Sequence, residues 1–146
     1  MYPILVHAHS GLRWLVLVFL ILAIVTAARK QNGSATYGAS DKRVSLLALI
    51  FTHVQLILGL ILYFISPKVV FSAETMGNTM MRFYTVEHIT IMLLAIALIT
   101  IGYSRAKRQP ADNQKIKTTF RFYLIGLILI LISIPWPFRN LGAGWF

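Results

Sequence analysis

The sequence contains no cysteine, which excludes disulfide bonds, thiolate metal ligands and a cysteine nucleophile. Any metal or cofactor must therefore be held by histidine, methionine, carboxylate or carbonyl groups. Acidic residues are also scarce, because only 4 Asp and Glu residues accompany 14 Lys and Arg residues in a chain of 146. The sequence has no Gly-rich phosphate loop, no Ser-His-Asp set and no pair of carboxylates at one level. Hydrolases and nucleotide-hydrolysing enzymes are excluded on these grounds.

Charged residues are too few to cover a water-soluble fold, since they make up 12% of the chain while hydrophobic residues make up 58%. A helix needs roughly 20 apolar residues to cross a bilayer. Four segments approach this length, at about 4–28, 44–65, 83–103 and 120–137. We predict an all-α fold, an integral-membrane four-helix bundle that forms a single domain over residues 1–146. Arg29 and Lys30 stand where a signal-peptide cleavage site would lie, so we expect the first span to be retained.

The basic residues are concentrated beside two of the connections between spans. Ten of the 14 lie there, namely Arg29, Lys30, Lys42, Arg43, Arg105, Lys107, Arg108, Lys115, Lys117 and Arg121. By the positive-inside rule these connections are cytoplasmic, so we expect a multi-pass protein of the inner (cytoplasmic) membrane with both termini extracytoplasmic. Anionic lipid headgroups are a sufficient partner for the net charge of +10, and no nucleic acid is required. The aromatic tail 138–146 is expected to anchor at the membrane interface.

Four histidines are the main candidates for function: His7, His9, His53 and His88. Ionisable residues inside a membrane are costly and are functional candidates by default. A rise of about 1.5 Å per residue places His7 and His9 roughly 5 to 8 Å below the outer end of their helix, His88 roughly 10 Å and His53 roughly 20 Å. Two histidines that bind one iron must lie at one level, which favours His88 with either His7 or His9. A helix tilt of about 20° keeps His53 open as an alternative.

Helical spacing indicates which neighbours each histidine of the first span would have. Gly11 follows His7 by one turn and leaves room for a flat macrocycle against the helix. Arg13 follows His9 by one turn and is placed to pair with an anionic group such as a haem propionate. Arginine near a span end also commonly snorkels to the interface, so this second role for Arg13 stays open. The outer half of the bundle is thus expected to form a haem pocket.

Several short motifs give the chain a resemblance to a known family. They are His-Ala-His-Ser-Gly-Leu-Arg-Trp at 7–14, Thr-His-Val-Gln at 52–55, Phe-Tyr-Thr-Val-Glu-His at 83–88 and Ile-Pro-Trp-Pro-Phe at 134–138. With the short four-span layout, they make the chain similar to the small membrane proteins described as cytochrome b-like. The resemblance covers nearly the whole chain and implies a four-helix bundle that binds haem b through histidines.

The implied function is one-electron transfer to or from a quinone or a partner redox protein. Ligation by two histidines leaves no open position on the iron, so the chain need not be an enzyme by itself. A quinone is expected to dock beside Glu87, His88 and Arg13, where a carboxylate or histidine accepts the quinol proton. Dihaem four-helix cytochromes carry ligands on the fourth helix, and this chain has no histidine there. One haem is therefore expected.

Two other classes of function remain open from the residues alone. The first is extracytoplasmic metal binding, with copper held by a histidine and methionine set, namely His7, His9, His88, Met76, Met80 and Met81, or zinc held by three histidines with Glu87 nearby. The second is a non-catalytic accessory subunit of a membrane complex, in which the histidines only tie helices together. A homodimer is a further expected partner arrangement, because a second copy supplies ligands that one chain lacks.

Overall fold

The structure is a computed structural model that describes residues 1–33 and 35–146. Four long helices make up most of it: α1 (Tyr2–Lys30), α2 (Ala39–Ile65), α3 (Thr79–Arg108) and α4 (Asp112–Ser133). A short 3-10 turn, Pro137–Arg139, follows α4, and the described residues contain no strand. The prediction of an all-α fold built on four helices is confirmed.

All four helices are long and apolar enough to cross a membrane, so the chain is a multi-pass membrane protein. Large side chains remain exposed along their outer faces, for example Val18 at 50%, Ile57 at 58% and Ile132 at 59%. In water such faces would be unfavourable, whereas a bilayer solvates them as well as a protein interior does. The outer surface of the helices is therefore suited to lipid.

The helices run antiparallel, which brings the two ends of the chain to the same end of the bundle, here called the terminal end. The Tyr2 hydroxyl lies 3.1 Å from the Ser66 hydroxyl, so α1 begins where α2 finishes. At the opposite end, Lys30 forms an ion pair of 2.6 Å with Asp41. The helix α1 packs against α2 and α4, and α4 packs closely against α3, while α2 and α3 approach each other less closely.

Small residues explain the close packing of α3 on α4. A Cβ atom added at Gly102 would lie 2.3 Å from the Cβ of Phe122, and one added at Gly126 would lie 2.6 Å from Ile99. Glycine lets two helix backbones approach within a membrane, where dispersion contacts and hydrogen bonds replace the hydrophobic effect as the driving force. The tight α3–α4 pair fixes one side of the bundle and leaves the looser side, between α2 and α3, open at the terminal end.

The fourth helix departs from its predicted bounds in both directions. It begins at Asp112, eight residues before the predicted start near 120, because a polar turn continues the helix beyond its apolar part. It ends at Ser133 rather than near 137, and Ile134 has extended backbone angles of φ −68° and ψ 132°. Steric conflict with Pro135 disfavours a helical conformation at Ile134. At the terminal end α4 is therefore shorter than the sequence predicted.

Residues 134–146, here called the tail, occupy the place that a longer α4 would have filled. The Tyr84 hydroxyl donates to the Leu141 carbonyl oxygen at 3.0 Å, and the Trp14 indole N–H donates to the Trp145 carbonyl oxygen at 3.2 Å. Trp145 and Phe146 stay 50% and 71% exposed. The tail therefore runs from α4 past α3 to α1, and it closes one side of the terminal end as well as exposing aromatic side chains there.

Candidate functional site

A cavity of about 220 Å³ lies at the terminal end, mainly between α1, α2 and α3. Its inner walls are apolar and come from residues such as Val16, Leu56, Met92, Ile96 and Ile130. Polar side chains cluster toward the outer part, namely Tyr2, His9, Arg13, Gln55, Ser66, Lys68, Tyr84 and His88. Part of the tail, including Gly142 and Phe146, lines the same space. A concave apolar space with a few polar groups is the usual form of a small-molecule site.

His9 and His88 face each other at this cavity. Their ring centroids lie 6.5 Å apart, and the ring planes are inclined by 73°. Two imidazole nitrogens that each lie about 2 Å from one metal ion place their ring centroids about 6 Å apart. The spacing of His9 and His88 therefore matches a single metal ion held between them.

The termination of α4 determines how His88 is held. Because α4 ends at Ser133 and Ile134 is extended, the carbonyl of Ser133 has no partner within the helix. The Ser133 carbonyl oxygen instead lies 2.8 Å from Nδ1 of His88. Because a carbonyl only accepts, Nδ1 carries the proton and Nε2 keeps its lone pair. This is the arrangement in which histidines usually bind metals, with the second ring nitrogen donating to a backbone carbonyl.

A π-helical turn, Phe83–Glu87, lies in α3 immediately before His88. The Thr85 carbonyl oxygen accepts a hydrogen bond of 2.8 Å from the Tyr63 hydroxyl, and the Thr85 hydroxyl accepts one of 3.0 Å from the Val70 N–H. Residues of α2 and of the α2–α3 loop thus provide hydrogen-bond donors for polar groups of the irregular turn. Such turns occur frequently at functional sites, and this one sets the direction in which His88 leaves α3.

His9 lies against α2 at a place where α2 has no side chain. A Cβ atom added at Gly59 would lie 3.1 Å from Cε1 of His9. The Gln55 amide donates to the His9 backbone carbonyl at 2.8 Å. In the described chain, His9 Nδ1 and Gln55 Oε1 are buried and have no hydrogen-bond partner. Buried polar atoms are normally paired, so this part of the cavity has hydrogen-bonding capacity to offer a ligand.

The structure places the other predicted ligand residues outside the cavity. His7 is exposed on α1, and nothing lies within 4 Å of the position that a Gly11 Cβ would occupy. His53 lies deeper in the bundle, with Nδ1 2.8 Å from the Leu49 carbonyl oxygen and Nε2 3.4 Å from the Thr100 hydroxyl. These contacts fit the interpretation of His53 as a polar tie. Of the pairings left open by the sequence, the geometry brings together His9 and His88.

Arg13 is the third predicted site residue at the cavity. Its guanidinium donates to the Trp145 carbonyl oxygen at 2.8 Å, and it lies 5.4 Å from the centroid of Trp14 and 5.9 Å from that of Trp136. Its Nε atom is buried and has no partner in the described chain. Arg13 is only 7% exposed, so it does not reach freely into solvent as a snorkelling residue would.

The residues invoked for other sites are arranged differently. Glu87 forms an ion pair of 2.7 Å with Arg82 and does not line the cavity. Met76 is 61% exposed. Within residues 1–33 and 35–146, no group of three or more His, Asp and Glu side chains is placed to hold a metal ion. The cavity thus offers two histidines and no carboxylate among the described residues, and neither a zinc site with Glu87 nor quinone docking against Glu87 gains support.

Comparisons with known proteins found no matching family profile, no matching curated protein and no matching solved structure. The resemblance to cytochrome b-like membrane proteins therefore stays a prediction.

Proposed function

We propose that this protein binds one haem b between His9 and His88 and carries single electrons within the membrane. The observation that carries the proposal is the 6.5 Å separation of the two imidazole rings across one cavity. The group supplies reversible one-electron chemistry at its iron when bound. The ligands for the iron and the apolar walls around the haem would be provided by side chains of this chain.

Both histidines would be suited to hold the iron of the haem, for different reasons. His88 has its Nδ1 proton engaged by Ser133, so Nε2 is available as a ligand. Among the described residues, the Nδ1 atom of His9 is buried and unpaired, and Gln55, whose Oε1 is also unpaired, donates to the backbone carbonyl of His9. If Nε2 of His9 bound a metal, its Nδ1 proton would need an acceptor, and the Gln55 amide oxygen is a buried acceptor without a partner in the described chain. A hydrogen bond of this kind orients a ligating histidine.

The walls of the cavity suit a flat, apolar group. The absence of a side chain at Gly59 makes room for the His9 ring beside α2, and the deeper lining of the cavity is largely aliphatic. Apolar walls exclude water and so influence the redox potential of a bound metal. With a histidine on each side, no coordination position is left for oxygen or another substrate, which favours electron transfer over catalysis at the iron.

The positive-inside rule gives the proposed orientation. The two basic connections face the cytoplasm, so the cavity and both termini lie on the extracytoplasmic side of the inner membrane. Electrons would be exchanged with a quinone in the bilayer or with a redox protein at the outer surface. A second copy of the chain would serve as a neighbouring carrier if the protein forms homodimers.

Absorption spectroscopy of the full chain tests the proposal. The protein should be produced with ample haem supply and purified in detergent. We expect a Soret band that shifts and sharpens on dithionite reduction, with α and β bands typical of a six-coordinate haem b. A colourless protein that also fails to bind added hemin would overturn the proposal, and elemental analysis of that sample would show whether copper or zinc is bound instead.

A further inference from the structure

Two cations line the outer part of the cavity, and their contacts share one feature. Arg13, on α1, donates to the carbonyl oxygen of Trp145, and Lys68, in the α2–α3 loop, donates to that of Gly142. Each is therefore held by the backbone of the tail. The ion pairs of the described chain join other residues, namely Lys30 with Asp41, Arg82 with Glu87 and Lys115 with Asp112.

Removal of these cations from water, without a carboxylate partner among the described residues, is unfavourable by itself. Arg13 is 7% exposed and its buried Nε has no partner in the described chain, whereas Lys68 is half-buried. Burial lowers the pKa of Lys68, whose ammonium nitrogen lies 4.9 Å from the centroid of the Tyr84 ring. Aromatic faces and single carbonyl groups replace only part of the lost hydration of a cation. An anion in the cavity would complete the solvation of both groups.

The tail fixes the positions of the two cations relative to each other. Gly142 has a φ of +67°, a left-handed conformation that favours glycine. A Cβ atom at Gly142 would also lie 3.3 Å from the Lys68 ammonium nitrogen. Glycine at position 142 thus allows the left-handed conformation of the tail and leaves room for the Lys68 ammonium group. On this side the cavity is bordered by a segment whose carbonyl oxygens hold the two cations at its edge.

We propose that Arg13 and Lys68 bind two carboxylate groups of one ligand, so that the cavity selects a molecule with a large apolar body and two acidic groups. This inference rests on the proposed function, in which the two acidic groups are the propionates of haem. Carboxylates form short, charge-assisted hydrogen bonds with guanidinium and ammonium groups. The apolar part of the ligand then lies against the inner walls, and its acidic edge faces the tail.

Binding of hemin and of hemin dimethyl ester to the haem-free full chain in detergent tests the inference. The ester has the same ring and iron but no acidic groups. We expect the unmodified chain to bind hemin more tightly than the ester by about tenfold or more. Arg13→Gln and Lys68→Gln should each reduce this preference by about tenfold, because each removes one charged partner. Arg139→Gln is the matched control, since Arg139 stacks on Phe83 and donates to Ile132 and Ile134 without lining the cavity.

The preference for the acid over the ester is a ratio, so it stays informative if a variant loses affinity for both ligands through a packing defect. Should Arg13→Gln fail to fold, Lys68→Gln and Gly142→Ala still test the inference, and both should lower the ratio. Equal binding of the acid and the ester by the unmodified chain, or a ratio that none of the variants changes, would overturn the inference while leaving haem binding intact. If hemin does not bind at all, the proposed function itself fails.

Discussion

The Nδ1 atom of His88 lies 2.8 Å from the backbone carbonyl oxygen of Ser133, and this oxygen is available because α4 ends at Ser133 and gives it no partner within the helix. Pro135 ends the helix by disfavouring a helical conformation at Ile134, and the Leu131 carbonyl oxygen, which cannot accept from Pro135, accepts from the Trp136 indole at 2.9 Å. The Ile-Pro-Trp-Pro segment thus ends α4 and leaves one carbonyl free to orient a histidine on α3.

Joint replacement of Pro135 and Pro137 by Ala should weaken the orientation of His88. Without the two prolines α4 can continue past Ser133, and the N–H of residue 137 then competes for the Ser133 carbonyl, so His88 loses part of its hydrogen bond and would become a weaker electron donor to the proposed iron. We expect a rise in the midpoint potential of the bound haem and a loss of haem affinity of about tenfold or more. Potentiometric titration of the α band measures the first effect.

Pro110→Ala provides the control for this variant, because Pro110 lies in the α3–α4 connection at the opposite end of the bundle. It should leave the potential unchanged. An unchanged potential in the double variant Pro135→Ala, Pro137→Ala as well would contradict the role given to the Ser133 carbonyl.

Alanine replacement of the histidines one at a time separates the ligand pair from the alternatives. His9→Ala and His88→Ala should abolish the six-coordinate spectrum, because each removes an axial ligand. His7→Ala and His53→Ala should retain it, since neither side chain reaches the cavity. Reduced-minus-oxidised spectra at equal protein concentration give the comparison. Loss of the spectrum in His53→Ala with retention in His9→Ala would place the haem at a different level of the bundle.

Gly59 provides a steric test of the cavity. A Leu side chain at this position would enter the space beside the His9 ring, where even a Cβ atom would lie 3.1 Å from Cε1. Overfilling of a packed site typically costs about 1 to 3 kcal/mol, so Gly59→Leu should lower haem affinity by roughly tenfold or more. Hemin titration of the haem-free protein measures the loss.

Gly11→Leu is the matched control, because nothing lies within 4 Å of the position of a Gly11 Cβ. It should bind hemin as the unmodified chain does. If the two variants behave in the opposite way, the macrocycle lies against α1 beside His7, as the spacing of His7 and Gly11 alone would predict.

The levels of the histidines could be predicted from the sequence, whereas the directions in which they face could not. Counting residues along each helix puts His9 and His88 at similar depths and His53 deeper, and the structure shows the same order. The side of a helix that faces the bundle can be predicted from an amphipathic pattern. Because α1 is apolar on nearly all sides, this pattern does not show whether His7 or His9 faces the bundle. Gly59 was not predicted for a similar reason: its partner His9 lies on another helix.

Backbone irregularity was the other part of the site that sequence reasoning did not reach. The prolines at 135 and 137 indicated the end of the fourth span, because a missing N–H is a local property. Which side chain would use the released carbonyl depends on the packing of α3 against α4. The π-helical turn before His88 has no comparable local signal in Phe83–Glu87, since it is stabilised by Tyr63 and Val70 from elsewhere in the chain.

The hydrogen bond between Arg13 and Trp145 also bears on biosynthesis. It joins residues that are 132 positions apart, so α1 is synthesised and inserted well before the segment that receives its guanidinium exists. During that interval Arg13 must be accommodated by lipid headgroups, water or the insertion machinery. The wall of the cavity is thus completed after the helices that carry both histidines, and a cofactor delivered at that stage would reach its ligands through a side that has not yet closed.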